Sequence, residues 1–169
     1  YASVSNSDNL GAAPAAAIRP AKRPPARHEG VSLAGAWHGM THAAAAATYS
    51  AGRRGYGPTA PGNLGVPVPN AYRPDHLAPD GTHDWRRQLD LAFDLVDVQS
   101  TGSLAACLVE PILSSGGIVE LPPGYLAALR DKCHERGMLL ILAAAQTCLL
   151  YPAPSRRDQR LAGLPGCAG

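Results

Sequence analysis

Two stretches of the chain place chemically useful side chains where a sheet would deliver them together. Leu104-Ala105-Ala106-Cys107-Leu108-Val109 reads as a buried strand ending in Glu110-Pro111. Met138 to Leu142 reads as a second, ending in Ala143-Ala144-Ala145-Gln146-Thr147. Open α/β sheets gather their reactive groups at the carboxyl ends of strands. If these two strands are neighbours, Glu110 gives the crevice a carboxylate and Ala143 gives it a methyl group. Ser114-Ser115 beside Gly116-Gly117 suggests a nucleophile, but no motif places a base, so pocket lining or a turn is the better reading. His38 and His42 lie four apart and invite a zinc reading. The residues between them, Gly39, Met40 and Thr41, lack the Glu of a metalloprotease helix, and no third ligand is indicated. Cys107, Cys133, Cys148 and Cys167 form no CxxC pair and read as reduced, structural thiols, so no metal is expected.

The elements that position these groups follow from periodicity. Val31-Ser32-Leu33-Ala34 suits a short strand, and the alanine run from Thr41 to Tyr49 suits a helix with Thr41 as its cap. Asp84 precedes a helix whose Trp85, Leu89, Ala92, Phe93 and Val96 share one face. Pro123 opens another, with Leu126, Leu129 and Cys133 on one face and Gly137 past its end. Strand 104–109, this helix and strand 138–142 then make a right-handed βαβ unit of a parallel sheet. Between Ser50 and Gly81, prolines and glycines recur so often that no regular element is expected. Ala12 to Ala26 holds helix formers, yet Pro14, Pro20, Pro24 and Pro25 interrupt it, and an interior proline costs about 3 kcal/mol.

Composition narrows the function classes. With 18 Gly, 16 Pro and 17% charged residues in 169, the chain reads as one loop-rich domain with ragged ends. A net charge of +2, with arginines scattered in pairs and no aromatic interleaving, argues against a nucleic-acid partner. The longest strongly apolar run, Met138 to Ala145, is far short of the ~20 residues that span a bilayer, and no charged segment with a following apolar core opens the chain. No membrane partner is expected, and the reading is soluble and cytoplasmic. A start at Tyr1 suggests a fragment or a conceptual translation.

Several motifs in order carry a resemblance. They are Trp37-His38-Gly39-Met40-Thr41, then 49–58 (Tyr49 to Pro58), Leu91-Ala92-Phe93-Asp94-Leu95, Glu110 to Gly117, and Gln146-Thr147. Together they resemble the middle of class III pyridoxal-phosphate (PLP) aminotransferases, with 2,2-dialkylglycine decarboxylases the nearest branch. The match runs over about residues 31–147. It implies an incomplete piece of the fold-type-I large domain, an α/β domain that binds PLP between two subunits of a homo-oligomer. Its substrates would be amino acids and keto acids. By the same resemblance Trp37 is the aromatic stacked on the pyridine ring, Glu110 the acid that supports the site and Gln146 the amide on the ring hydroxyl. Met40 and Ser115 would line the substrate pocket.

The departures from that pattern bear on activity. The family has Asp-Glu-Ala-Gln-Thr where this chain has Ala143-Ala144-Ala145-Gln146-Thr147, and the Asp keeps the ring nitrogen protonated so that the ring can act as an electron sink. Only Lys22 and Lys132 occur, and neither matches the family's cofactor-bonding lysine. Asp8 to Pro14 stands where the phosphate-cradling turn is expected. Three regions follow: a degraded Pro/Ala-rich leader, 1–30; a partial PLP-transferase large domain, 31–147; and an unrelated, disordered tail, 148–169, of the kind a frameshift or truncation leaves. No residue is assigned as catalytic. The expectation is a degenerate relative that is inactive alone; an active transaminase or decarboxylase and a non-catalytic dimerisation partner are the alternatives. A sheet cut after its second recognisable strand would also leave a strand edge and apolar helix faces uncovered.

Overall fold

The structure, a computed structural model, describes residues 27–49, 55 and 57–143 together with the backbone of Ala2–Val4. Its centre is a parallel sheet of five strands: β1 (Ala2–Val4), β2 (Glu29–Leu33), β3 (Asn63–Val66), β4 (Leu104–Val109) and β7 (Leu139–Ala143), in the order β1-β7-β4-β2-β3. Two short strands, β5 (Ile112–Leu113) and β6 (Val119–Glu120), form a separate antiparallel hairpin just after β4. Three helices complete the described fold: α1 (His42–Ala47), α2 (Trp85–Gln99) and α3 (Tyr125–Glu135).

All six residues of β4 are buried. A strand buried on both faces reads as a continuous apolar run, which is why Leu104 to Val109 shows no polar alternation. Its register sets the layers. Val31 pairs with Cys107 and Ser32 with Leu108 on one side; Leu108 pairs with Ile141 and Val109 with Leu142 on the other. Cys107 and Val109 therefore join Val31, Leu33 and Leu140 in the larger core, where Leu89, Phe93 and Val96 of α2 and Tyr125, Leu129 and Cys133 of α3 close over them. Ala106 and Leu108 face the opposite layer with Ile141, Ala143 and Ala47 of α1. Small side chains there let α1 approach the sheet closely.

Helix α2 forms where its apolar period predicts, and the Asp84 side chain accepts the Arg87 N–H at 3.0 Å as a cap. It is tied to α3 by charge. Arg136 donates through Nε and Nη2 to the two Asp97 oxygens at 2.7 and 2.6 Å, its guanidinium 5.0 Å from the Phe93 ring centroid, and Lys132 meets Asp90 at 2.7 Å. At the other end of the sheet, Glu29 fastens the turn between α2 and β4. Ser100 Oγ donates to Oε2 at 2.5 Å, and the Thr101 N–H and Oγ1 donate to Oε1 at 2.9 and 3.0 Å. Burial by itself would raise the Glu29 pKa, yet these donors together hold it below its ordinary value.

Several expectations from the sequence need correction. The stretch 50–81 does hold a regular element, β3, whose Gly65 is required by packing: a Cβ there would stand 2.9 Å from Cε1 of Tyr49. Residues 1–30 are not simply a leader, because Ala2–Val4 pairs with β7 and Glu29 and Gly30 begin β2. Hence β7 is no exposed edge. Thr41 sits at the start of α1 without a side-chain cap bond, and α1 ends at Ala47. Helix α3 starts at Tyr125, one turn residue after the Pro122-Pro123 pair, with Gly124 at φ 82°. Tyr125 belongs to its buried face, and Leu126 is only partly covered. The interrupted segment 12–26 and the tail 148–169 lie outside the described residues. Leu91, Leu95 and Val98 do leave an apolar stripe exposed on α2, as an incomplete domain would.

Two measurements test this packing. Phe93 is fully buried, so Phe93→Ala should lower unfolding free energy by about 3–5 kcal/mol, read as a fall in the urea midpoint; a loss below ~1 kcal/mol would contradict the core described. The Arg136 hydrogen bonds hold the Asp97 pKa below its ordinary value. That contribution is complete above the unfolded-state pKa of about 4 and fades as pH falls through the folded value. Arg136→Met should therefore cost stability at pH 7, by about 1 kcal/mol at most because Asp97 is half-exposed and screened. The variant should also show less acid destabilisation between about pH 5 and 2 than the parent, in thermal scans across that range.

Candidate functional site

Because β2, β4 and β7 run parallel, the segments that follow them all leave from one end of the sheet. Gly35 to Met40 follows β2, Glu110 follows β4, and Ala143 ends β7. The last pair in the β4–β7 ladder is Val109 with Leu142, so Glu110 and Ala143 stand one residue beyond it on adjacent strands. The sequence-based juxtaposition of a carboxyl and a methyl group is thus the arrangement found.

The turn after β2 is held tightly. Ala34 N–H donates to the Val66 carbonyl at 2.7 Å, Gly35 N–H to that of Tyr49 at 3.1 Å, and Tyr49 N–H to that of Ala36 at 3.2 Å. The Tyr49 hydroxyl donates to the Asn63 carbonyl at 2.9 Å, so the segment that leaves α1 is locked onto β3 two residues past the helix. Two further amides in the turn go to side chains. Trp37 N–H donates to Glu110 Oε1 at 2.6 Å, and His38 N–H donates to Thr48 Oγ1 at 3.0 Å. Thr48 in turn donates to the Ala44 carbonyl at 3.0 Å, which anchors the contact in α1.

Glu110 is 3% exposed, and burial pushes its carboxyl pKa up against the lowering effect of the Trp37 and Ser114 backbone donors. Among the described residues its Oε2 has no hydrogen-bond partner. A buried carboxyl with one oxygen unpaired among the described residues is costly to charge, which is the cause of the upward shift. His38 is 2% exposed, and burial pushes its pKa down to about 4; both ring nitrogens lack partners among the described residues. Its imidazole is therefore neutral at pH 7.

The residues picked out from sequence separate into two groups. Trp37, half-buried, and Glu110 are joined directly. Ser115 lies in the turn between β5 and β6, and this turn packs against the one carrying Trp37: a Cβ on Gly116 would stand 3.1 Å from the Gly35 carbonyl oxygen. Met40 is three residues beyond Trp37 and 59% exposed. Gln146 lies outside the described residues. His38 and His42 do not share a face, since one is buried and the other exposed, and among the described residues no cluster of metal-ligating side chains occurs. Cys107 and Cys133 are free and buried. The sequence reading missed Thr48 and the orphaned His38 ring; a hydroxyl directly after an alanine helix was the only available signal.

PLP, which the resemblance implies, meets part of its needs here. The aromatic at the strand end suits a flat ring. Ala143 offers no hydrogen bond to a ring nitrogen. Lys132, the one lysine among the described residues, points its amine at Asp90 on α2, away from the strand ends. Among the described residues the strand ends offer an aromatic side chain for a flat ring, but no carboxylate at the end of β7 and no lysine.

Comparison with known proteins agrees with the geometry. The family model for class-III aminotransferases matches residues 6–149. An uncharacterized aminotransferase of Schizosaccharomyces pombe is 51% identical over 137 residues, 81% of this chain and 31% of that protein. Acetylornithine aminotransferase of Rhodobacter capsulatus is 36% identical over 126 residues, 74% of this chain and 26% of that protein. Among solved structures, an amine transaminase from an uncultivated Pseudomonas species in its PLP-bound form shares the fold with a TM-score of 0.70 at 22% identity, over 83% of this chain and 33% of that one. An (S)-enantioselective omega-transaminase from Thermomicrobium roseum gives 0.68 at 26% identity, over 80% and 32%. The chain spans about a third of the length of the relatives it matches. Parallel sheet, strand-end residues and a match over most of its length lead to one conclusion: the chain belongs to the class-III aminotransferase family.

Proposed function

We propose that this 169-residue polypeptide carries the ring-stacking and pocket-forming part of a PLP site without the groups that make the cofactor reactive, and is catalytically inactive alone. Ala143 at the end of β7 carries this reading. It lies on the strand beside the one that delivers Glu110, where the family pattern has the aspartate that keeps the ring nitrogen charged. When bound, PLP supplies an electron sink for the substrate's α-carbon, and that depends on the ring nitrogen. A methyl group cannot hold a proton on it. Trp37 would stack on the ring, Glu110 and Gln146 would support the cofactor, and Met40 and Ser115 would face an amino-acid or keto-acid substrate. The dialkylglycine-decarboxylase branch, a cytoplasmic location and a homo-oligomer belong to the same proposal. Among the described residues, no helix is long and apolar enough to cross a membrane.

A second reading is an active aminotransferase whose remaining length supplies the amine. The 51% identity to a longer aminotransferase favours it. Even then Ala143 would leave the ring nitrogen without its carboxylate. Incubated with PLP and then borohydride, the purified chain should give no pyridoxyl-lysine peptide by mass spectrometry, and it should release no carbon dioxide from 2-aminoisobutyrate. A single modified lysine accompanied by turnover would overturn the proposal.

A further inference from the structure

We propose that Glu110 is a positioning residue that acts as a hydrogen-bond acceptor and not through its charge, fixing the Trp37 turn and the Ser114–Ser115 turn to the end of β4. The inference rests on the reading above for the roles of Trp37 and Ser115, though the clamp itself is a matter of geometry.

The observations are these. Glu110 Oε1 accepts the Trp37 N–H at 2.6 Å across 73 residues of sequence, and the Ser114 backbone N–H also reaches the carboxyl. One side chain therefore joins three segments: the end of β4, the turn after β2 and the turn between β5 and β6. The close approach of Gly116 to Gly35 shows that the two turns touch at another point as well. The side chain is 3% exposed and its Oε2 has no partner among the described residues, whereas an anion placed to act by charge would call for a cation or further donors. Among the described residues no charged side chain bonds to Glu110; burial and the two backbone donors are what act on its carboxyl. His38, the titratable group nearest in sequence on the facing turn, is neutral at pH 7 and exerts no charge on it. Glu110 thus contributes geometry: it sets how far the Trp37 segment stands from the hairpin carrying Ser115.

The decisive comparison is Glu110→Gln against Glu110→Ala, in a Trp85→Phe background so that Trp37 is the only tryptophan. Glutamine keeps a neutral acceptor for both backbone donors; alanine removes it. Two readouts are taken on the full chain, the Trp37 emission maximum and quenching of that emission by PLP. Glu110→Gln should match the parent in emission, with half-quenching concentration within about twofold. Glu110→Ala should shift the emission to the red and weaken quenching about tenfold or more. If Glu110→Ala does not fold by circular dichroism, Glu110→Gln alone decides: unchanged emission supports the clamp. A folded Glu110→Gln with the Trp37 emission displaced would overturn it, showing that charge is required; so would a folded Glu110→Ala identical to the parent. Should PLP fail to quench even the parent, the cofactor reading fails, while the emission maxima still judge the clamp.

Discussion

Burial of β4 on both faces is the constraint from which the rest of this structure follows. A strand with no solvent-facing side must have apolar side chains throughout and a hydrogen-bonded neighbour on each edge. Leu104 to Val109 meets the first demand and β2 and β7 meet the second. Parallel pairing then brings the carboxyl ends of three strands to one side, and that alone makes neighbours of residues far apart in sequence. The helices that cover one face are chosen by the same logic: Phe93 and Leu129 are buried because the β4 side chains beneath them need cover.

The end of this sheet is dominated by backbone amides that need partners. Trp37 and His38 sit in a turn that cannot satisfy its own N–H groups, so side chains from two other segments, Glu110 and Thr48, accept them. Both acceptors are buried, where a polar group must find a partner or carry a desolvation cost. That cost appears in the polar atoms left unpaired among the described residues, Glu110 Oε2 and the two His38 ring nitrogens. Each unpaired buried group costs on the order of 1–3 kcal/mol, which a fold tolerates where the group has work to do or where a partner has been lost.

The legible parts of the sequence were those with strong local periodicity. The α2 stripe of Trp85, Leu89, Ala92, Phe93 and Val96 and its Asp84 cap stand as read, because a 15-residue amphipathic helix declares itself by spacing alone. The β4–α3–β7 unit was readable for the same reason. β3 was not, since Asn63-Leu64-Gly65-Val66 is four residues long, contains a glycine and sits among prolines; it is a strand only because β2 offers it an edge and Tyr49 presses on Gly65. Likewise Ala2–Val4 has no strand signal strong enough to stand against the Pro-rich residues that follow, and pairing with β7 defines it.

At the site the division is similar. Residue types at positions 37–41, 110–117 and 143–147 were enough to suggest the family and to mark Ala143 as a departure, because covalent identity is fully written in the chain. Partnerships were not. That Glu110 serves the Trp37 amide, that His38 is buried while His42 is exposed, and that the Ser114–Ser115 turn rests on Gly35 depend on strand register and turn geometry. Sequence therefore determined which chemistry is available at the strand ends. Tertiary structure decided which groups meet and in what state of charge, because burial and hydrogen-bond partners are properties of the surroundings that the fold assembles.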